Sequence, residues 1–294
     1  KTQPLADYRA QRRGGTGRSA TAVKDEDFVE HLLIANTHDM ILCFSDVGKV
    51  YWLKVYQIPV ASRQSRGRPM VNLLPLEADE SITSILPVSE YSDDRFILMA
   101  TAKGTIKKTV LSAYARQRSS GLKAVELDEG DYLIGTAITD GESDVMLFAD
   151  SGKAIRFNEK DIRTTGRVSR GVRGIRIKDD QSVISLIVPE AESRVLTVTE
   201  NGYGKQTQVS EFSTQGRGGQ GVIAMQTSER NGSLVGAHEV IDGDEVMLIS
   251  NGGTVVRIAT DEISTLGRNT QGVRVIRLKK EEKLIAAAGI AESE

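Results

Sequence analysis

The sequence predicts an all-β fold, a propeller-like ring of six blades that are each a four-stranded antiparallel sheet. Three observations lead to this prediction: a repeat of about fifty residues, short apolar runs divided by glycine-containing turns, and the lack of any stretch that keeps a helical period for three turns. Units of this size, repeated one after another, favour a ring in which neighbouring blades cover each other.

The repeat can be followed in three independent registers: a glycine-rich segment, the glycine of a hairpin turn, and a large apolar residue after the second strand. Equivalent positions are, in turn, Gly17, Arg68, Gly121, Gly171, Gly221 and Gly272; Gly48, Gly104, Gly152, Gly202 and Gly252; and Tyr8, Ile58, Tyr114, Ile162, Phe212 and Ile263. They divide a single domain, residues 1–294, into repeats 1 to 6, at about 1–30 (partial), 31–90, 91–140, 141–190, 191–242 and 243–291.

Repeat 4 illustrates the four strands expected in a blade. Residues 145–148 are a continuous apolar run, as in a strand buried on both faces, and a turn at Gly152 follows. Residues 155–157 and 172–177 alternate apolar residues with arginine, so we expect them to bury one face. The apolar run 183–188 closes the unit.

The two ends of the chain depart from the repeat. Residues 1–8 match residues 107–114 within repeat 3, so the first strand and turn of repeat 1 are expected to lie upstream, in a longer protein. Residues 281–294 are rich in alanine and glutamate and suggest the root of an acidic tail.

Composition limits the classes of protein to which this chain can belong. The one cysteine, Cys43, lies in an apolar run and is expected to fill the core of a protein from a reducing, cytoplasmic compartment. No apolar run approaches the roughly 20 residues of a membrane span. The three histidines lack ligand spacing, so we expect no metal site. Trp52 is expected in the core rather than on the rim.

Charge is segregated along the chain, although the net charge is only −2. Six glycine-containing segments hold 17 of the 38 basic residues and none of the 40 acidic ones. We call them arcs 1 to 6: residues 11–18, 62–68, 115–123, 162–173, 213–221 and 264–277. Equivalent loops of a ring fall at equal radius, so the arcs predict a basic rim.

A basic rim of this kind suits double-stranded DNA, held by its phosphates with little sequence preference and bent around the outside. The repeats offer no recognition helix, and aromatic residues make up only 5% of the chain, which argues against stacking of unpaired bases. The candidate rim contacts are Arg18, Arg63, Arg66, Arg68, Arg116, Arg118, Lys123, Arg163, Arg167, Arg170, Arg173, Arg217, Arg268 and Arg274.

Arc 1 carries the most specific motif. Its residues Gln11, Arg12, Arg13, Gly14, Gly15, Thr16 and Gly17 resemble the box motif of the A chain of bacterial DNA gyrase, in which lysine is usual where Thr16 stands. The later segments 35–39, 66–69, 72–76 and 201–205 are also similar to that family, so the resemblance covers essentially the whole chain.

The resemblance implies a β-pinwheel that wraps DNA, with the box residues as DNA contacts, in a type II topoisomerase that introduces negative supercoils using ATP and magnesium. It implies as partners the breakage-reunion domain of gyrase A and the gyrase B protein, in an A2B2 complex in the bacterial cytoplasm. No catalytic tyrosine motif and no phosphate-binding Gly-x-x-x-x-Gly-Lys-[Ser/Thr] loop occurs here, so we expect a non-catalytic segment without a cofactor.

Two other functions stay open at this point. One is the C-terminal domain of topoisomerase IV, whose box is degraded or absent. The other is a propeller scaffold that binds proteins through the basic rim.

Overall fold

The computed structural model describes residue 2 and residues 35–61 and 67–290. Nineteen strands lie in this part of the chain: β1 (Met40–Ser45), β2 (Lys49–Lys54), β3 (Ile82–Val88), β4 (Phe96–Thr101), β5 (Thr105–Val110), β6 (Leu122–Lys123), β7 (Leu133–Thr139), β8 (Asp144–Ala149), β9 (Lys153–Asn158), β10 (Val172–Arg173), β11 (Val183–Ile187), β12 (Arg194–Thr199), β13 (Tyr203–Gln208), β14 (Val222–Ile223), β15 (Leu234–Val240), β16 (Glu245–Ser250), β17 (Val255–Ala259), β18 (Val273–Arg274) and β19 (Leu284–Ile290). Short 3-10 helices occupy Val55–Gln57, Met70–Asn72, Leu111–Tyr114, Glu159–Asp161, Val209–Glu211 and Thr260–Glu262.

The strands form five antiparallel sheets, one for each of repeats 2 to 6, which confirms the all-β, propeller-like architecture. The count of six blades is not met, because the described residues form five, and repeat 1 falls almost wholly outside them. Four sheets have four strands, in the orders β3-β1-β2-β6, β10-β5-β4-β7, β11-β8-β9-β14 and β15-β12-β13-β18; the sheet of repeat 6 has three, β17-β16-β19.

The outermost strand of each four-stranded sheet comes from the next repeat. Val172 and Arg173 of repeat 4, for example, pair with Ile106 and Thr105 of repeat 3. The expectation of a long third strand at residues 172–177 within its own unit is therefore wrong. Only two residues pair, because the next residue, Gly174, turns inward and its N–H donates to the carbonyl oxygen of Gly104 at 2.8 Å.

The opposite edge of each sheet faces the centre of the ring. Consecutive members of the series β3, β7, β11, β15 and β19 contact one another, so these strands line the inside. The last of them, β19, occupies residues 284–290, within the segment that suggested the root of an acidic tail. These residues form the last strand of repeat 6 rather than a tail, because Leu284 and Ala287 are buried in the core between repeats 5 and 6.

The first strand of each repeat is buried on both faces, as the apolar runs predict. In β8, Val145 and Leu147 pack against repeat 3, whereas Met146 and Phe148 pack against repeat 5. Four of the five cores in the described residues therefore lie between two blades and join them, whereas the fifth is formed by residues of repeat 2. Burial of this apolar area is the main stabilising contribution to the ring.

Four of the six predicted apolar anchors lie in these cores, as does Cys43; Ile58 is half-buried, and Tyr8 lies outside the described residues. Tyr114, Ile162, Phe212 and Ile263 are each at most 4% exposed. Cys43 is fully buried, and burial raises the pKa of its thiol to about 12. Trp52 is only half-buried, because its indole Nε1 reaches between blades to donate to the carbonyl oxygen of Tyr114 at 3.0 Å.

The Trp52 contact is one of a series. The fourth residue of β2, β5, β9 and β13 donates to a carbonyl oxygen of the 3-10 helix, or of the residue that ends it, in the next repeat, at 2.5–3.0 Å. The donors are Trp52, Lys108, Arg156 and Gln206. Since these helices end where the arcs begin, this contact fixes the start of each arc.

Candidate nucleic-acid interface

Arcs 3 to 6 run over the outer edge of the ring. Each begins within two residues of the end of the 3-10 helix of its own repeat and leads into the two-residue strand that pairs with the preceding blade. Arcs 3 and 4 end in that strand, arc 5 ends immediately before it, and arc 6 continues three residues beyond it. Exchange of this strand thus places every described arc across the boundary of two blades. The equal radius that the repeat predicts for arcs 3 to 6 follows from this topology.

The aligned glycines are required where the arcs meet the preceding blade. Gly171 and Gly272 have φ angles of +88° and +73°. A Cβ atom at Gly171 would lie 2.5 Å from the carbonyl oxygen of Ile106, and one at Gly272 would lie 2.7 Å from that of Gly204. Any larger residue would push the arc off the blade.

Two buried lysines in the strands beneath arcs 4 and 6 hydrogen-bond to the main chain of these arcs. Lys107 in β5 donates from Nζ to the carbonyl oxygens of Ala124 (2.5 Å) and of Arg167 in arc 4. Lys205 occupies the same position in β13 and donates to the carbonyl oxygens of Gly267 (2.8 Å) and Arg268 (2.5 Å) in arc 6. Burial lowers the pKa of Lys107 to about 7 and that of Lys205 to about 8.

Three of the predicted rim arginines bind the exchanged strand of the preceding repeat. The Nη1 atom of each donates to the carbonyl oxygen of the last residue of the exchanged strand before it, at 2.6–2.8 Å. The pairs are Arg167 with Lys123, Arg217 with Arg173, and Arg268 with Ile223. All three side chains belong to half-buried residues, and we call these residues staple arginines.

Three further predicted cations have side-chain partners. Lys123 pairs with Glu126, and Arg170 pairs with Asp128, each at 2.6 Å. The Nη2 atom of Arg274 donates to the hydroxyl oxygen of Tyr203 at 2.9 Å, and its guanidinium lies over the same ring.

The other rim candidates in the described residues are exposed and have no hydrogen-bond or ionic side-chain partner there. They are Arg68, Arg116, Arg118, Arg163 and Arg173. Their charges are available to a ligand at the outer edge. The box residues Gln11, Arg12, Arg13, Gly14, Gly15, Thr16 and Gly17, together with Arg18, Arg63 and Arg66, lie outside the described residues, and their role stays a prediction.

The sequence interpretation missed several basic residues of this edge. Lys107 and Lys205 lie in strands, although their shared register position could have identified them. Arg230 lies beyond arc 5, and it donates from Nε to the hydroxyl oxygen of Tyr203 at 3.3 Å, on which Arg274 also converges. These two arginines lower the pKa of the Tyr203 hydroxyl through hydrogen bonds to its oxygen.

Across residues 35–61 and 67–290, no group of three or more His, Cys, Asp and Glu side chains is placed to hold a metal ion. None of the helices in the same ranges has the length and apolar character that crossing a membrane requires.

Comparison with known proteins agrees with this architecture. The family model described as "DNA gyrase C-terminal domain, beta-propeller" matches residues 1–36, 39–89, 95–140, 143–190, 193–240 and 244–290. The chain is 55% identical to the DNA gyrase A protein of Klebsiella oxytoca and 53% identical to that of Escherichia coli K12, over 292 residues in each case. These alignments cover 99% of this chain but 33% of each relative, so the chain spans about a third of their length.

Two solved structures share the fold. A DNA gyrase A C-terminal domain superposes with a TM-score of 0.78 at 26% identity, covering 98% of this chain and 94% of that one. The C-terminal domain of a DNA topoisomerase IV superposes with a TM-score of 0.83 at 24% identity, covering 92% and 85%. The second likeness concerns the fold alone. From the family match over nearly the whole chain, we conclude that this protein belongs to the DNA gyrase C-terminal domain family of β-propellers.

Proposed function

We propose that the ring binds duplex DNA on its outer edge and bends it across arcs 2 to 6, with arc 1 contributing its box residues. The observation that carries this proposal is the placement of arcs 3 to 6, which are free of acidic residues, across the outer blade boundaries. Duplex DNA fits this edge because its phosphates recur along a curved path and need no base contact.

The contacts of the basic residues indicate two different roles in DNA binding. The exposed, unpaired arginines Arg68, Arg116, Arg118, Arg163 and Arg173 meet phosphates directly. The staple arginines and the buried lysines keep the arcs in place, so that little ordering is needed when DNA binds. Bending 20–30 base pairs costs on the order of 1–6 kcal/mol, which several phosphate contacts per blade offset.

Within the longer protein, we propose that this domain is the non-catalytic DNA-wrapping part of a type II topoisomerase that acts on the bacterial chromosome in the cytoplasm. It presents the wrapped duplex to the breakage-reunion domain of gyrase A. The ATP and magnesium used for supercoiling belong to other parts of the A2B2 complex.

Binding of duplexes of increasing length tests the proposal. The affinity of the 294-residue chain should rise with duplex length up to the circumference of the ring. It should fall steeply with salt, with about 0.9 added to the log-log slope per phosphate neutralised. A scaffold that binds acidic proteins would show neither length dependence nor bending, which end-to-end fluorescence transfer measures.

The box residues are tested in the longer protein assembled with gyrase B. Replacement of Arg12 and Arg13 by alanine should abolish negative supercoiling while relaxation largely survives, because cleavage and religation occur elsewhere. Full supercoiling by this double variant would remove the box from the mechanism.

A further inference from the structure

Arc 5 is the arc with the lowest charge, and its single basic side chain is already engaged. Arg217 donates from Nε to the carbonyl oxygen of Asp161 at 3.0 Å and from Nη1 to that of Arg173 at 2.6 Å. Arcs 4 and 6 on either side have four and three basic residues. A duplex that follows the outer edge would therefore meet a gap in positive charge at arc 5.

A cation from repeat 4 lies beside this gap. The main-chain N–H of Arg176 donates to the carbonyl oxygen of Gly219 in arc 5 at 2.8 Å. The Arg176 side chain is exposed and has no hydrogen-bond or ionic partner in the described part of the chain. Arg176 follows the end of arc 4 and was not among the predicted contacts.

Equivalent residues show that this position adjoins the next arc. Glu126 and Gln226 occupy it in repeats 3 and 5, and their main-chain N–H groups also donate to carbonyl oxygens of the next arc, at 3.1 and 2.9 Å. The amide Nε2 of Gln226 reaches the side-chain oxygen of Asn269 in arc 6 at 2.8 Å. The longer side chain of Arg176 therefore has the reach to serve arc 5.

The position of Arg176 is acidic in repeat 3, which precedes arc 4, and basic in repeat 4, which precedes arc 5. Beside arc 4, the most basic arc, stand Glu126 and Asp128, and Asp128 pairs with Arg170. Beside arc 5, the same two positions are Arg176 and Lys178, both exposed. The preceding repeat thus evens out the charge that successive arcs present.

The backbone of arc 5 is open to an anion. Its residues 215–219 read Gln-Gly-Arg-Gly-Gly, as residues 11–15 read Gln-Arg-Arg-Gly-Gly, with glycine in place of the first arginine. A Cβ atom added at Gly216 would meet no atom within 4 Å. The N–H of Gly218 donates to the carbonyl oxygen of Gly174 at 2.9 Å, whereas that of Gly219 has no acceptor among the described residues. At Gly219 itself, a Cβ atom would lie 3.8 Å from the Cδ1 atom of Ile155, but the residue is exposed, so a phosphate can approach its free N–H.

We propose that Arg176, supported by Lys178, supplies the cation that arc 5 lacks, and that a DNA phosphate is bound between the Arg176 guanidinium and the bare backbone of arc 5 at Gly219. The site is shared by two repeats and rests on the proposed function of the outer edge as a DNA track.

The test compares salt dependence of duplex binding for the 294-residue chain and its Arg176→Ala and Arg95→Ala variants. Arg95 is an exposed arginine outside the arcs, so the second variant controls for loss of one positive charge. Arg176→Ala should lower the log-log salt slope by about 0.9 and the affinity by about threefold to tenfold. Arg95→Ala should leave both near the wild-type values.

Equal slopes and affinities for wild type and Arg176→Ala would overturn the inference, as would equal losses in the two variants. Unchanged thermal unfolding shows that the variants are folded, and Arg176→Gln replaces the alanine variant if that one is destabilised. Failure of the wild-type chain to bind duplex DNA would instead refute the proposed function.

Discussion

Lys107 and Lys205 occupy the same register position in β5 and β13, two repeats apart, and each directs a buried ammonium group at the main chain of a basic arc. The intervening repeat has Ile155 at this position, also fully buried. The buried side chain beneath the arc is therefore a lysine for arcs 4 and 6 and an isoleucine for arc 5. The charged supports should make the ring sensitive to pH.

Replacement of Lys107 by methionine should flatten the dependence of stability on pH above neutrality. The pKa of Lys107 is lowered to about 7 in the folded chain from 10.5, so between these values the unfolded state binds more protons and stability rises with pH. Below pH 7 both states are protonated and the full cost of burying the charge remains. Lys205, with a pKa lowered to about 8, adds to the same rise.

The measurement is the free energy of unfolding in urea at pH 7, 8 and 9, for wild type, Lys107→Met and Lys103→Met. Loss of Lys107 should reduce the rise by up to about 1.4 kcal/mol per pH unit. Lys103 is exposed on a hairpin turn, so its variant should keep the wild-type rise. Parallel curves for all three proteins would contradict the expectation.

Replacement of Arg217 should mainly lower the stability of the fold, whereas replacement of Arg173 should mainly weaken DNA binding. Arg217→Ala removes two hydrogen bonds to carbonyl oxygens and should lower the free energy of unfolding by about 1–3 kcal/mol. Arg173→Ala keeps the main-chain acceptor and should leave stability within about 0.5 kcal/mol of wild type. The DNA salt slope should fall by about 0.9 for Arg173→Ala.

Chemical unfolding and duplex titrations of the two variants give both quantities. A large loss of stability in Arg173→Ala, or a wild-type salt slope in that variant, would show that the two arginines are not divided in this way.

Gly171 should tolerate no side chain. Gly171→Ala forces a Cβ atom to 2.5 Å from the carbonyl oxygen of Ile106 at a φ of +88°, so we expect a loss of at least about 2 kcal/mol in the free energy of unfolding. Gly166 lies in the same arc, and a Cβ atom there would meet nothing within 4 Å. Gly166→Ala should change stability by less than about 0.5 kcal/mol, and similar losses in both variants would be inconsistent with the close approach.

The sequence by itself determined the class of fold and the positions of the basic arcs along the chain. The first strands of the repeats are continuous apolar runs because neighbouring blades cover both of their faces, and that pattern is readable without coordinates. The arcs could also be located, because glycine recurs wherever the chain must pass close to the preceding blade.

The tertiary structure alone decided which blade each arc completes and which cations are free. Strand exchange cannot be read from residues 172–177, because the alternating pattern is the same whichever hairpin it joins. The staple arginines donate to strand carbonyl oxygens that lie 44 or 45 residues away in the chain. The buried lysines Lys107 and Lys205 donate to arc carbonyl oxygens that lie 60 or more residues away. Sequence shows where positive charge is concentrated, but main-chain acceptors carry no sequence signature. Only the packed ring therefore separates the charges that hold the arcs in place from those that stay exposed and unpaired.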